Sequence, residues 1–124
     1  NINGLLDSKE FPWKKLDVDI VLESSGQFRR SSQKDNDFFG SYDDHLFAGA
    51  KRAVLTTMHL DETDYSIVVS ANDKDIGPKT KVIYNPSSTV NCMVPIMKLL
   101  NEKLGVVSGF LTSVHAMTNE QKNA

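Results

Sequence analysis

The sequence predicts an α/β fold with a mainly parallel sheet. Three observations lead there. Short runs rich in β-branched residues recur along the chain: DVDIVLESS (17–25), AVLTT (53–57), SIVVSAN (66–72) and KVIYN (81–85). Helix-like or polar segments separate them, as expected when parallel strands need crossover connections. From about Ser88 the apolar period changes from strand-like to helical.

The first run carries Val18, Ile20, Val21 and Leu22 almost without interruption, a pattern that suits a buried parallel strand. It closes in SSG, where Gly26 permits a tight turn. Ahead of it, FPWKKL (11–16) reads as a turn or short helix. The stretch RRSSQKDNDFFGSYDD (29–44) is polar and mixed in charge, a solvated loop or frayed helix. HLFAGAKRAVLTT then gives a helical turn stopped at Gly49 and a second strand. SIVVSAN and KVIYN supply a third and fourth strand, with Gly77-Pro78 punctuating the turn between them.

Val90, Met93, Val94, Met97, Leu100 and Leu104 recur at steps of three and four, which predicts an amphipathic helix. Ser87 or Ser88 is its N-cap and Gly105 its stop. Pro95 removes one intrahelical hydrogen bond and should kink it. VVSGFLTSVHA (106–116) reads as a further strand. Nothing matches the G-x-G-x-x-G turn that opens a doubly wound nucleotide-binding sheet, so both ends of the sequence read as cut.

Bulk properties exclude several function classes. The chain has 124 residues, 24% of them charged, and a net charge of −2. That balance gives no reason to expect nucleic acid or a membrane as partner, and the few paired basic residues form no stripe. No apolar run approaches the length needed to span a bilayer. The single cysteine, Cys92, excludes an internal disulfide and points to a reducing compartment. The acidic run DETDY (61–65) lacks a neighbouring His or Cys and any EF-hand spacing, so it reads as a solvated loop and no metal site is expected. His45 and His59 have no motif context.

The chemically informative stretch is NPSSTVNCMVP (85–95), a strand-to-helix junction. A helix start offers unpaired N–H groups and positive partial charge, which stabilise an oxyanion, a thiolate or a phosphate. Ser88 stands at the first helical position. Cys92, one turn further in, is expected to face the packed side as a small hydrophobe. His115, at the end of the last strand, reads either as a surface or satisfied core histidine or as a general base.

Taken in order, ESSG, HLxxGAKRxV, N-x-S-x-T-x-N-C-x-x-P and T-x-V-H-A-x-T-x-x-Q, with FPW ahead of the first strand, resemble the glyceraldehyde-3-phosphate dehydrogenase family over nearly the whole chain. The resemblance implies the later half of a Rossmann-type doubly wound sheet in 1–87 and the first helix and strand of an α+β catalytic domain in 88–124. It implies NAD as cofactor, with Ser25, Gly26, Phe28 and Thr56 as contacts. It places Ser88 in the nucleophile position and His115 as the base. Ser87, Thr89 and Thr118 fall on phosphate-contacting positions. The substrates implied are a phosphorylated aldehyde and inorganic phosphate, with a cytoplasmic setting and a homotetramer. The family's nucleophile is a cysteine, so Ser88 implies either an impaired enzyme or a binding or structural subunit. Erythrose-4-phosphate dehydrogenases share the same pattern. Pro86, Val90, the long 29–44 segment and TTM after the second strand also depart from the family. Together they favour natural divergence over a single engineered change.

Overall fold

The computed structural model describes residues 8–31, 40–56, 63 and 65–117. Four strands, β1 (Ile20–Glu23), β2 (Arg52–Leu55), β3 (Tyr65–Ser66) and β4 (Val82–Tyr84), form one sheet in the order β1-β2-β4-β3. Every neighbouring pair is parallel, and Glu23, Leu55 and Tyr84 lie in register across three strands. Because the strands run parallel, the three junctions that follow β1, β2 and β4 open along one edge, the C-terminal edge of the sheet.

α1 (Asp44–Phe47) leads into β2. Its first residue is a buried carboxylate that accepts from the Ser41 amide (2.9 Å), the Ser41 hydroxyl (3.1 Å) and the Ser8 hydroxyl. Gly49 ends the turn at φ +110°, and a Cβ there would meet Lys14 at 2.5 Å, so the predicted stop rests on close approach as well as on backbone freedom. Lys14 N–H donates to the Ala48 carbonyl at 2.9 Å, which ties the FPWKKL turn to this corner. The core centres on Leu55, Tyr42 and Val82, with Phe28, Leu46 and Tyr84 packed around them.

Several expectations are corrected. β1 is parallel as predicted, but Ile20 is 54% and Leu22 68% exposed, so one face of this edge strand is uncovered among the described residues. Val18 belongs to a turn, its N–H bound to the Trp13 carbonyl, and Asp17 takes φ 50°. The third strand stops after Ser66. Asn72 accepts from the Val68 amide (2.8 Å) and donates to the Ser66 carbonyl (2.9 Å), while Asp73 accepts from the Ser70 amide (2.8 Å). These side chains satisfy groups that a longer ladder would use, and residues 67–72 curl instead.

α2 (Ser88–Leu104) forms as predicted, between Ser87 as N-cap and Gly105 at φ 71°. It runs through Pro95 as a single helix. Its apolar stripe is not buried: no residue of α2 is, and Val90, Val94, Met97, Leu100 and Leu104 are exposed. Cys92 is exposed as well, contrary to expectation, because no described element covers the helix face on which it lies. Lys98 reaches the Ala71 carbonyl at 2.7 Å. The strand expected at 106–116 is absent. Residues 105–117 have no regular structure and are exposed, and a strand without a ladder partner cannot satisfy its backbone.

Candidate functional site

The site expected from the sequence lies along the C-terminal edge of the sheet. Ser25, Gly26 and Phe28 follow β1, Thr56 follows β2, and Ser87, Ser88 and Thr89 follow β4. Backbone bonds tie the three junctions in sequence. Thr56 donates to the Glu23 carbonyl through its amide (3.0 Å) and its hydroxyl (3.2 Å), and the Asn85 amide donates to the Leu55 carbonyl (2.9 Å). Parallel α/β sheets bind ligands outside this edge, because the loops there splay around open backbone groups.

At the third junction Ser87 caps α2, its hydroxyl accepting from the Val90 amide at 3.4 Å. Ser88 is the first helical residue and is exposed. Asn91 fixes the entry angle. Its side-chain amide donates to the Asn85 side chain (3.0 Å), the Pro86 carbonyl (2.6 Å) and the Ser87 carbonyl (3.2 Å). Ser87→Ala should cost about 1 kcal/mol of helix stability. No buried contact of α2 offsets that loss, so the helical circular-dichroism signal at 222 nm should fall with it.

At the first junction Gly26 takes φ 76° and Ser24 and Ser25 are exposed. The organiser here is Glu23, which the sequence reading passed over. It is only 5% exposed. One carboxylate oxygen accepts from the Ser25 amide at 2.7 Å and from the Ser25 hydroxyl, and the other pairs with His45 Nε2 at 3.0 Å. Burial by itself raises the Glu23 carboxyl. The hydrogen bonds from His45 and Ser25 outweigh it and hold the group below the ordinary carboxylate range. A carboxyl lowered in the folded state contributes stability above its unfolded value that is lost as pH falls through the folded one. The wild-type urea midpoint should therefore fall as the pH drops below the ordinary carboxylate range. Glu23→Gln should start lower and change less over that window.

His45 also lacked a sequence signal beyond its place in HLxxG. It is 2% exposed, enclosed by Phe11 (stacked, 5.3 Å), Phe28 (5.0 Å) and Trp13 (6.2 Å). Phe28, expected as a cofactor contact, is half-buried and packs on Phe11 and His45. The sequence-predicted residues are thus divided. Ser25, Gly26, Thr56, Ser87, Ser88 and Thr89 share one edge of the sheet. His115 is exposed, its ring Nδ1 2.6 Å from the Ala116 carbonyl, and it shares no hydrogen bond with Ser88. Thr118, His59, most of the 61–65 run and residues 32–39 lie outside the described residues. Among the described residues no helix is long and apolar enough to cross a membrane.

Comparison with known proteins agrees with the geometry in one direction. Residues 87–124 match the family model of the glyceraldehyde 3-phosphate dehydrogenase C-terminal domain. The chain is 44% identical over 117 residues to glyceraldehyde-3-phosphate dehydrogenase of Borreliella burgdorferi, covering 94% of this chain and 33% of that one. It is 41% identical over 118 residues to glyceraldehyde-3-phosphate dehydrogenase 2 of Bacillus subtilis, covering 94% and 32%. It is 40% identical over 116 residues to the glyceraldehyde-3-phosphate dehydrogenase of Thermotoga maritima, again covering 94% and 32%. The chain spans about a third of the length of these curated relatives.

Proposed function

Given that the chain belongs to the glyceraldehyde-3-phosphate dehydrogenase family, we propose that it serves the NAD-linked oxidation of a phosphorylated aldehyde, with Ser88 in the place of the nucleophile. The observation that carries this reading is the shared edge. Ser88 begins α2 on the same side of the parallel sheet as the Ser25–Phe28 turn and Thr56. On this reading residues 1–87 are the later half of a Rossmann-type NAD domain and 88–124 begin the catalytic domain. The protein works in the cytoplasm as a homotetramer.

The first two junctions fit one side of NAD. Ser25 and Thr56 offer hydroxyls, Gly26 at φ 76° leaves its backbone open to close approach, and the exposed edge leaves room for a ribose. NAD, when bound, supplies the hydride acceptor. The rest of the chemistry belongs to the third junction. The Ser88 hydroxyl adds to the aldehyde carbonyl while His115 takes its proton, and the helix start stabilises the alkoxide. Loss of hydride from that adduct leaves an ester on Ser88. Inorganic phosphate, held by Ser87, Thr89 and Thr118, attacks the ester carbonyl. The acyl phosphate leaves and the proton returns to Ser88. An oxygen ester yields to phosphate more slowly than a thioester, so each half of this cycle is slower than with cysteine.

A second reading is favoured by one observation, the missing hydrogen bond between Ser88 and His115. A hydroxyl without a base is a poor nucleophile. On that reading the protein binds the nucleotide and the phosphorylated ligand without turning them over, as a binding or structural subunit. Calorimetric titration with NAD, followed by an assay for NADH with a phosphorylated aldehyde and phosphate, separates the two. Binding with turnover supports the enzyme, binding without turnover supports the subunit, and no binding overturns both.

A further inference from the structure

We propose that His45 is a positioning residue for the Ser25–Phe28 turn, acting through Glu23 and fixed in one tautomer by Trp13. The inference rests on the reading of that turn as a nucleotide contact.

The hydrogen bonds run in one direction. Indole Nε1 is only ever a donor, and in Trp13 it lies 3.2 Å from His45 Nδ1. Nδ1 must therefore present its lone pair, and the ring proton sits on Nε2. From there it points at the Glu23 carboxylate, 3.0 Å away. The other Glu23 oxygen accepts from the Ser25 amide at 2.7 Å and from the Ser25 hydroxyl. With its proton committed to Glu23, the Ser25 oxygen accepts from the Gln27 amide at 3.2 Å. Each group along this line has one role left by its neighbour, so the line sets both the conformation of the turn and the direction in which the Ser25 hydroxyl points.

The surroundings make the line rigid. Phe11 stacks on the imidazole at an interplanar angle of 12°, and Phe28 and Trp13 close two more sides. Hydrogen bonds to an ionised acceptor are strong, and exclusion of water strengthens them further. Trp13, Glu23 and His45 come from a turn, a strand and a helix that the sequence keeps well apart. Phe28, inside the turn itself, forms one wall of the imidazole cage. Position of the ring and position of the turn are therefore coupled at both ends.

The test uses the isotope-labelled 124-residue chain. The Ser25 amide resonance reports its bond to Glu23, and the indole resonance of the single tryptophan reports its bond to His45. His45→Gln keeps a donor toward Glu23, so the Ser25 amide should stay at its wild-type position. His45→Leu keeps the bulk and removes the donor, so that amide should move upfield. NAD titration should then show affinity reduced about tenfold or more in His45→Leu and little changed in His45→Gln, a loss matching one hydrogen bond to a charged group. A Ser25 amide unmoved in His45→Leu overturns the proposal, whatever NAD does. Failure of the wild-type chain to bind NAD overturns the nucleotide reading and leaves the amide positions to decide the relay. Should His45→Leu not fold, Trp13→Phe decides: it removes the indole donor and should shift the Ser25 amide. An unmoved amide there, or an equal shift in His45→Gln, overturns the proposal.

Discussion

Ser88→Cys is expected to raise NADH formation from a phosphorylated aldehyde by at least about a hundredfold over the serine protein, since a positioned base contributes about 10²–10⁴ and the serine, which needs all of it, has no base bonded to it. The geometry explains why the gain should be large. His115 makes no bond to Ser88, so the hydroxyl starts without its base in contact. A thiol at the same place needs less help. The start of α2 lowers a thiol's pKa, and the thiolate itself is the nucleophile. The thioester formed after hydride loss is also more open to attack by phosphate. Equal rates for the two proteins would sink the argument. A second measurement keeps the prediction decisive where turnover is too slow to read. In a Cys92→Ser background, the Ser88→Cys thiol should be alkylated with a pH midpoint about one to two units below that of an ordinary cysteine thiol. Its alkylation at pH 7 should be only about threefold faster than that of an ordinary thiol, because nucleophilicity falls as thiol pKa falls. A midpoint no lower than the ordinary one would show that the helix start does not act on this position.

The same junction shows which parts of the molecule the sequence made legible. Ser87, Ser88 and Gly105 carry signals that are local: a cap hydroxyl, a first-turn position and a left-handed stop. Such signals depend on neighbours within a few residues, and α2 begins and ends where they indicate. The β-branched runs likewise marked β1, β2 and β4 and their parallel sense. What failed was everything that depended on a distant or competing partner. SIVVSAN has strand composition, but Asn72 and Asp73 take the backbone groups of 66–70 for themselves. VVSGFLTSV has strand composition too, and yet its Val107, Phe110 and Val114 lie fully open, with no ladder beside them. Composition states what could pair and is silent about the partner.

The candidate site divides along the same line. Its positions at the sheet edge were legible through the family resemblance, whereas its organisers were not. Trp13, Glu23 and His45 meet only after three separate elements have packed. The one hint was a carboxylate closing an apolar strand, a place where an ionisable side chain is costly unless it is paired. Phe28 was named as a cofactor contact by resemblance, and its ring proves to be committed to the imidazole cage. Cys92 was expected to be covered because a helical stripe usually is, but the stripe of α2 has no described element over it.

The second large effect concerns the core that holds this edge together. Leu55→Ala is expected to destabilise the chain by about 2–5 kcal/mol, the cost of lost burial and of the cavity left behind. Leu55 is the largest fully buried side chain, at 1% exposure, and joins Tyr42 to Val82. Its backbone matters to the site as well. Leu55 lies between Glu23 and Tyr84 in register, and its carbonyl accepts the Asn85 amide at 2.9 Å. Among the described residues the core is small, with few buried apolar side chains beyond this cluster. A folded domain commonly has about 5–15 kcal/mol in hand, so a loss of this size removes a large share of it. Two observables should move together. The urea midpoint should drop, and amide protection at Thr56 and Asn85, whose N–H groups bind the carbonyls of Glu23 and Leu55, should drop by a similar free energy. A lowered midpoint with both amides still protected would mean that the C-terminal edge is held by something other than this core. An unchanged midpoint would mean that Leu55 contributes no more than an exposed side chain.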